Sequence, residues 1–297
     1  MLEHRTVRAL LAAVVVASCG ASERHCRTDE GQPTASEAPE PQASGEPAAG
    51  GSTGEPESPA ATDDREEPDS SETRTAHADA TTARQATGRF AKRRRRMVRQ
   101  QLKGRDITDK RVLDAMRTVP RHRFVLPRWR SRAYADSPLP IGHGQTISQP
   151  YIVAYMTQVL DVRKGHEVFE VGTGSGYQAA ILAELGAEVY SVEIVCELAK
   201  RARKTLKSQG YDNVHVRCGD GYEGWPEHAP FDRIILTAAP DELPDTLVDQ
   251  LARGGRLVAP VGEHVQELRV VRKKEDGSVV ETDLKKVRFV PMVHGDE

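Results

Sequence analysis

Hydrophobic and polar positions divide this chain into a stretch that cannot build a core and a stretch that can. From Ala21 to Arg89 there is no Leu, Ile, Val, Phe, Tyr or Trp. From Met97 onward apolar residues recur with the periods of regular structure. Met97–Leu102 reads as helix. Lys110–Val119 reads as a second, with Val112, Leu113 and Met116 at helical spacing, Thr108 or Asp109 as its cap and Pro120 as its stop. After a Pro-punctuated loop, short β-branched runs alternate with amphipathic ones. Glu167–Val171, Glu188–Val192, Val214–Cys218, Phe231–Thr237 and Arg256–Val261 predict strands. Gly176–Leu185, Cys196–Gln209 and Leu243–Leu251 predict the helices between them. Leu268–Lys273, Val279–Asp283 and Val287–Val290 predict further strands, joined by turns such as Glu275-Asp276-Gly277. Strand–helix alternation implies a parallel sheet covered on both faces, and the late hairpin turn implies an antiparallel end. The expected fold is a doubly wound, mostly parallel α/β sheet. No internal repeat is visible.

The first core strand runs straight into Gly172-Thr-Gly174-Ser-Gly176. A dinucleotide turn has G-x-G-x-x-G spacing, whose third glycine would fall at Tyr177. The G-x-G-x-G spacing instead suits a ligand without a pyrophosphate, one that presents an amino acid and a ribose. That ligand class is S-adenosylmethionine, and the Rossmann-like fold of class I methyltransferases is expected. Glu170, Gly172, Gly174 and Gly176 are the candidate cofactor contacts on and after this strand. Glu193, at the next strand end and about twenty residues past the turn, can accept from both ribose hydroxyls. Gly219 and Asp220 follow the third strand, where the acid can accept from the adenine amine. Each has a plainer reading: tight-turn glycines, a surface or helix-start carboxylate, and Asp-Gly turn chemistry. Two acids at successive strand ends behind such a turn favour the ligand. Thr237-Ala238-Ala239-Pro240 ends the fourth strand with small residues that leave room for a transferring methyl group.

Ahead of the first core strand lies Pro140-Ile-Gly-His-Gly-Gln-Thr-Ile-Ser-Gln-Pro150, a polar loop that offers Thr146, Ser148 and Gln149. Its only evident base is His143. This loop, Glu-Val-Gly-Thr-Gly-Ser-Gly-Tyr-Gln, Gly-Asp-Gly, Phe-Asp-x-Ile-Ile-x-Thr-Ala-Ala-Pro, Gly-Gly-x-Leu-Val-x-Pro-Val-Gly and Val-Arg-Phe-Val-Pro together resemble the protein-L-isoaspartate (D-aspartate) O-methyltransferase family over Met97–Gly295. The resemblance implies a repair enzyme that methylates the free carboxylate of L-isoaspartyl residues in aged proteins, using S-adenosylmethionine. It carries Ser148 over as the active-site serine, with Thr146, Gln149 and Gln266 as loop or substrate contacts. On residue type alone Ser148 reads as readily as a loop or helix-capping residue. A carboxylate nucleophile agrees with the residues, because with a pKa near 4 it is already ionised and needs no base. His143 departs from the Gln frequent in relatives and is read as loop variation. The alternatives are a methyltransferase of another substrate and a tethered module that binds the cofactor without turnover.

Composition adds an N-terminal story. His4, Arg5 and Arg8 precede the apolar Ala9–Ala17, and Val16-Ala17-Ser18-Cys19 resembles the lipobox of bacterial lipoproteins. Residues 1–19 are therefore expected to be a lipoprotein-like signal with Cys19 as the lipidated residue. Residues 20–96 are expected to be a disordered, acidic Pro/Ser/Glu-rich linker ending in the basic run Lys92–Arg96, and residues 97–297 the methyltransferase domain. A leader of no consequence, or a true start at Met97, is the plainer reading. The family resemblance implies the cytoplasm, whereas the leader implies a membrane-anchored periplasmic protein, and nothing in the sequence supplies cofactor there. Aromatic residues are 5% of the chain and no second basic run as long as Lys92–Arg96 accompanies it, so no nucleic-acid partner is expected. The histidines lack metal-ligand spacing and no metal is expected. Of four cysteines, Cys196 and Cys218 are expected to pack rather than to pair. A monomer is expected.

Overall fold

A computed structural model describes residues 88–295. The expected leader with Cys19, and the linker as far as residue 87, lie outside the described residues. Helix α1 (Arg89–Met97) runs into a π-helical turn at Val98–Leu102, and α2 (Lys110–Thr118) follows. Asp109 caps α2, its side chain accepting from Arg111 N at 2.8 Å. A hairpin of β1 (Leu139–Gly142) and β2 (Gln145–Ile147) precedes α3 (Pro150–Leu160). Then come β3 (Glu167–Val171), α4 (Tyr177–Glu184), β4 (Glu188–Glu193), α5 (Cys196–Ser208) and β5 (Val214–Cys218). The chain continues through β6 (Phe231–Leu236), α6 (Asp245–Asp249), β7 (Leu251–Val261), β8 (Gln266–Lys273) and β9 (Val279–Val287).

The central sheet has seven strands in the order β5-β4-β3-β6-β7-β8-β9. Strands β3 to β7 pair in parallel, and β8 and β9 are antiparallel. The period of two along each strand separates two cores. Val168, Val189, Ile235 and Val258 face the larger one, with Met116 of α2, Ile181 of α4 and Leu206 of α5. Phe169, Val192, Ile234 and Leu257 face the smaller, with Leu247 of α6. Burying each such side chain contributes about 1.5–3 kcal/mol, so strand register is strongly specified.

Several boundaries differ from expectation for physical reasons. Among the described residues, regular structure starts at Arg89, inside the expected linker. Ala91, Arg94 and Met97 share one face of α1 and are buried, whereas Lys92, Arg93, Arg95 and Arg96 are exposed. The basic run thus lies in an amphipathic helix rather than in a linker. The expected helix Leu243–Leu251 shortens to α6, because Leu251 already pairs with Phe231 and opens β7. Val287–Val290 is no separate strand, since β9 continues to Val287. The β1–β2 hairpin was not expected. It turns on Gly142, His143 and Gly144, all at positive φ.

Candidate functional site

Strand order reverses at β3, which has β4 on one side and β6 on the other. In an open parallel sheet the crevice lies at such a switch, beyond the carboxyl ends of the strands. The turn after β3 opens there. Gly172 has φ +91°, and a Cβ on it would lie 2.5 Å from Thr237 Oγ1. Thr237 Oγ1 donates to Gly172 O at 2.6 Å, locking the ends of β3 and β6 together. From the other side, Gly174 N donates to Glu193 Oε2 at 2.7 Å and Val195 N to Glu193 Oε1 at 3.0 Å. A carboxylate has about four acceptor positions, so two remain for a ligand's hydroxyl pair. Glu193 is buried yet lines a narrow cavity with Gly172, Gly174, Val192, Gly221 and Met292. The donor set, a bare glycine turn with a part-satisfied carboxylate beside it, fits the amino-acid and ribose ends of S-adenosylmethionine.

The hairpin roofs this turn. Ile141 Cδ1 is the nearest atom to a Cβ built on Gly174, at 3.4 Å, and Arg201 of α5 donates to Ile141 O. β2 then delivers Thr146, Ser148 and Gln149. Thr146 and Thr237 line the narrow cavity, a second one beneath Ser148, and an open cleft of about 730 Å³. Ser148 lines the cleft and the second cavity, and Gln149 lines the cleft. Arg121 holds this loop from below. It is fully buried, its Nε donates to Ala133 O at 2.8 Å, and its Nη2 donates to Ser148 O at 2.7 Å. Burial pulls its pKa down to about 10, so the guanidinium stays charged at neutral pH. Nothing in the apolar pattern marks Arg121. It follows Pro120, where the helical signal has ended.

Other candidates stand elsewhere. Glu170 is fully buried behind the turn, where Ser191 Oγ donates to its Oε2 at 2.5 Å and lies 2.6 Å from Thr173 Oγ1. Burial pushes its carboxyl up to about 8, so it is a neutral support of the turn and not a lining group. Gly176 is a packing position: an added Cβ would lie 3.1 Å from Leu206. Gly219 and Asp220 do not line the cavity, and Gly221 does. Asp220 accepts from Tyr222 N at 2.8 Å and Gly295 N at 3.0 Å, with His294 Nδ1 at 3.4 Å. Burial pushes its pKa up, but these hydrogen bonds outweigh it and hold the carboxyl below its ordinary value. The side chain therefore ties down the C-terminal segment. That segment, Val290 to Val293, closes one side of the narrow cavity, through Ala239 N to Val290 O at 2.8 Å and Met292 N to Ala239 O at 2.7 Å. Gln266 is buried away from the cleft and makes both its amide bonds to the backbone of Phe289, which lines the cleft. It positions a wall residue without touching the space itself.

One expectation is overturned. Cys196 and Cys218 form a disulfide, with Cα atoms 5.0 Å apart. Parallel pairing sets Cys218 opposite Glu193, and α5 begins just after Glu193, so its first residue comes beside the end of β5. Their sequence separation of 22 conceals this. The bridge joins the first residue of α5, just after β4, to the last residue of β5. No group of three metal-binding side chains occurs among the described residues.

Comparison with known proteins agrees with this geometry. The family described as protein-L-isoaspartate (D-aspartate) O-methyltransferase matches residues 92–297. A protein-L-isoaspartate O-methyltransferase of Gloeobacter violaceus is 57% identical over 197 residues, 66% of this chain and 96% of that protein. One of Opitutus terrae is 57% identical over 219 residues, 73% of this chain and 91% of that protein. A crystal structure of a Plasmodium falciparum protein of this description, in complex with S-adenosyl-L-homocysteine, superposes with TM-score 0.60 at 28% identity, covering 67% of this chain and 98% of that one. The chain belongs to the protein-L-isoaspartate (D-aspartate) O-methyltransferase family.

Proposed function

We infer that this protein is an S-adenosylmethionine-dependent carboxyl O-methyltransferase that acts on L-isoaspartyl residues of damaged proteins and so begins their repair. One observation carries the reading: the cleft that meets the glycine turn at Thr146 and Thr237 has cationic and hydroxyl groups but no base. Arg105, Ser148, Tyr151 and Lys285 line it, with no Asp, Glu or His among the lining residues. Burial pushes the Tyr151 phenol above its ordinary pKa. Burial pulls Lys285 down, but its bonds to Tyr151 and Asp106 outweigh this and keep the ammonium charged. No lining side chain is a carboxylate or imidazole that could take a proton from an amine or alcohol. The site suits a nucleophile that arrives as an anion, which a carboxylate does at neutral pH.

Bound S-adenosylmethionine supplies an electrophilic methyl group on a sulfonium. Gly172 and Gly174 let backbone approach its amino-acid end, and Glu193 takes the ribose hydroxyls. The Ser148 and Thr146 hydroxyls orient the attacking carboxylate, and Arg121 holds the Ser148 backbone in place. Gln149 contacts the substrate at the mouth. The catalytic contribution is alignment and a fixed field, since the displacement transfers no proton. The test is labelled methyl transfer to two peptides that differ only in L-isoaspartate or L-aspartate at one position. Base-labile label on the isoaspartyl peptide alone supports the reading. Cofactor binding without transfer to either peptide overturns it.

The protein is further proposed to work tethered outside the cytoplasm. The basic, apolar and small-residue order of residues 4–19 supports this, and so does the disulfide, because disulfides persist in oxidising compartments. Labelled palmitate should enter the full chain in cells and be lost in Cys19→Ser. Equal labelling of both would refute the anchor.

A further inference from the structure

The cleft of about 730 Å³ is far larger than one aspartyl residue, so it also houses the residues on either side of the reacting one. Its charge is one-sided, with Arg105, Lys285, Lys286 and Arg288 on its walls and no carboxylate. Two of these cations are already engaged. Arg105 pairs with Asp136 at 2.9 Å and lies 3.3 Å over the Tyr151 ring. Lys285 donates to Tyr151 Oη at 2.6 Å and pairs with Asp106 at 3.3 Å. They make a rigid wall. Lys286 and Arg288 differ: both are exposed and neither meets a carboxylate within 4 Å among the described residues. Lys286 lies in the last residues of β9 and Arg288 just past its end, two positions apart, about 7 Å along an extended chain, which is also the spacing of alternate side chains in an extended peptide.

We propose that the cleft selects isoaspartyl sites set among acidic residues, with Lys286 and Arg288 reading the flanking carboxylates. The proposal rests on the methyltransferase reading above and deepens it by naming the substrate class. The peptide's carboxylates supply the missing partners of these two cations, at a rim where water is only partly excluded. Surface pairs of this kind are weak singly, so two together give about a three- to tenfold preference. The preference shrinks with salt, because exposed charges are screened beyond about 8 Å at physiological ionic strength.

The experiment uses the full chain and three isoaspartyl peptides with Glu, Gln or Lys at two positions on each side of the isoaspartate. The expected order of kcat/KM is Glu above Gln above Lys, with the Glu-to-Gln ratio about three to ten at low salt. In Lys286→Glu with Arg288→Glu the order reverses. Lys286→Glu alone, at an exposed rim position, reduces the ratio and keeps the test readable if the double variant does not fold. Equal kcat/KM for the three peptides, or an order that the variants leave unchanged, overturns the proposal while leaving the repair reading intact. No transfer to the Gln-flanked peptide overturns the repair reading and the proposal with it.

Discussion

Replacing Glu170 by Gln should remove a pH dependence of stability that originates behind the cofactor turn. The Glu170 carboxyl is fully buried, accepts one hydrogen bond from Ser191, and has no partner at Oε1. Burial raises it from 4.5 to about 8. Between these values the unfolded chain has released the proton and the native protein retains it. The native state then binds more protons, so this group's contribution to stability falls as pH rises from about 4.5 and levels off above about 8. At about 1.4 kcal/mol per pH unit, raising the pH from 5 to 7.5 costs wild type on the order of 3 kcal/mol through Glu170. Gln does not titrate. Its amide has a shape similar to the acid, and a nitrogen left without an acceptor costs about 1–3 kcal/mol, equally at every pH. The readout is therefore the difference between the two proteins, taken from urea unfolding at half-unit steps from pH 5 to 8. Glu170→Gln should gain steadily on wild type across that range, by about 3 kcal/mol in total. Parallel stability curves would refute the neutral acid and show that Glu170 is ionised in the native protein.

Gly172→Ala should weaken S-adenosylhomocysteine binding by more than about tenfold in calorimetry, because the methyl group would collide with Thr237 Oγ1. Glu193→Ala should weaken the same binding about tenfold or more, through lost ribose contacts and a freed Gly174 amide. Ser148→Ala should lower kcat about tenfold or more while leaving cofactor affinity near wild type, and equal cofactor affinity in all three variants would contradict the site. Reducing the Cys196–Cys218 bridge opens a loop of sequence separation 22, for which the chain-entropy relation gives about 3 kcal/mol of lost stability in denaturant titration. The double Cys→Ser variant should not respond to reductant.

Local patterning determined much of this protein. Alternation of β-branched runs with amphipathic ones dictates a parallel sheet, since such strands can be buried only between helical layers. The spacing of Gly172, Gly174 and Gly176 marks the turn where a ligand's backbone contacts must lie, and the loop from Pro140 to Pro150 carries the family likeness. Tertiary structure decided what depends on residues distant in the chain. Glu170 and Ser191 are neighbours only because β3 and β4 pair in register, and that pairing turns a motif acid into a neutral support. Cys218 meets Cys196 for the same kind of reason. Arg121 reaches Ser148 across 27 residues, and the C-terminal segment closes the cavity through bonds to Ala239. Periodicity records only which face of an element is apolar. Which polar groups face each other across strands and loops is set by register and layer packing, which no single segment encodes.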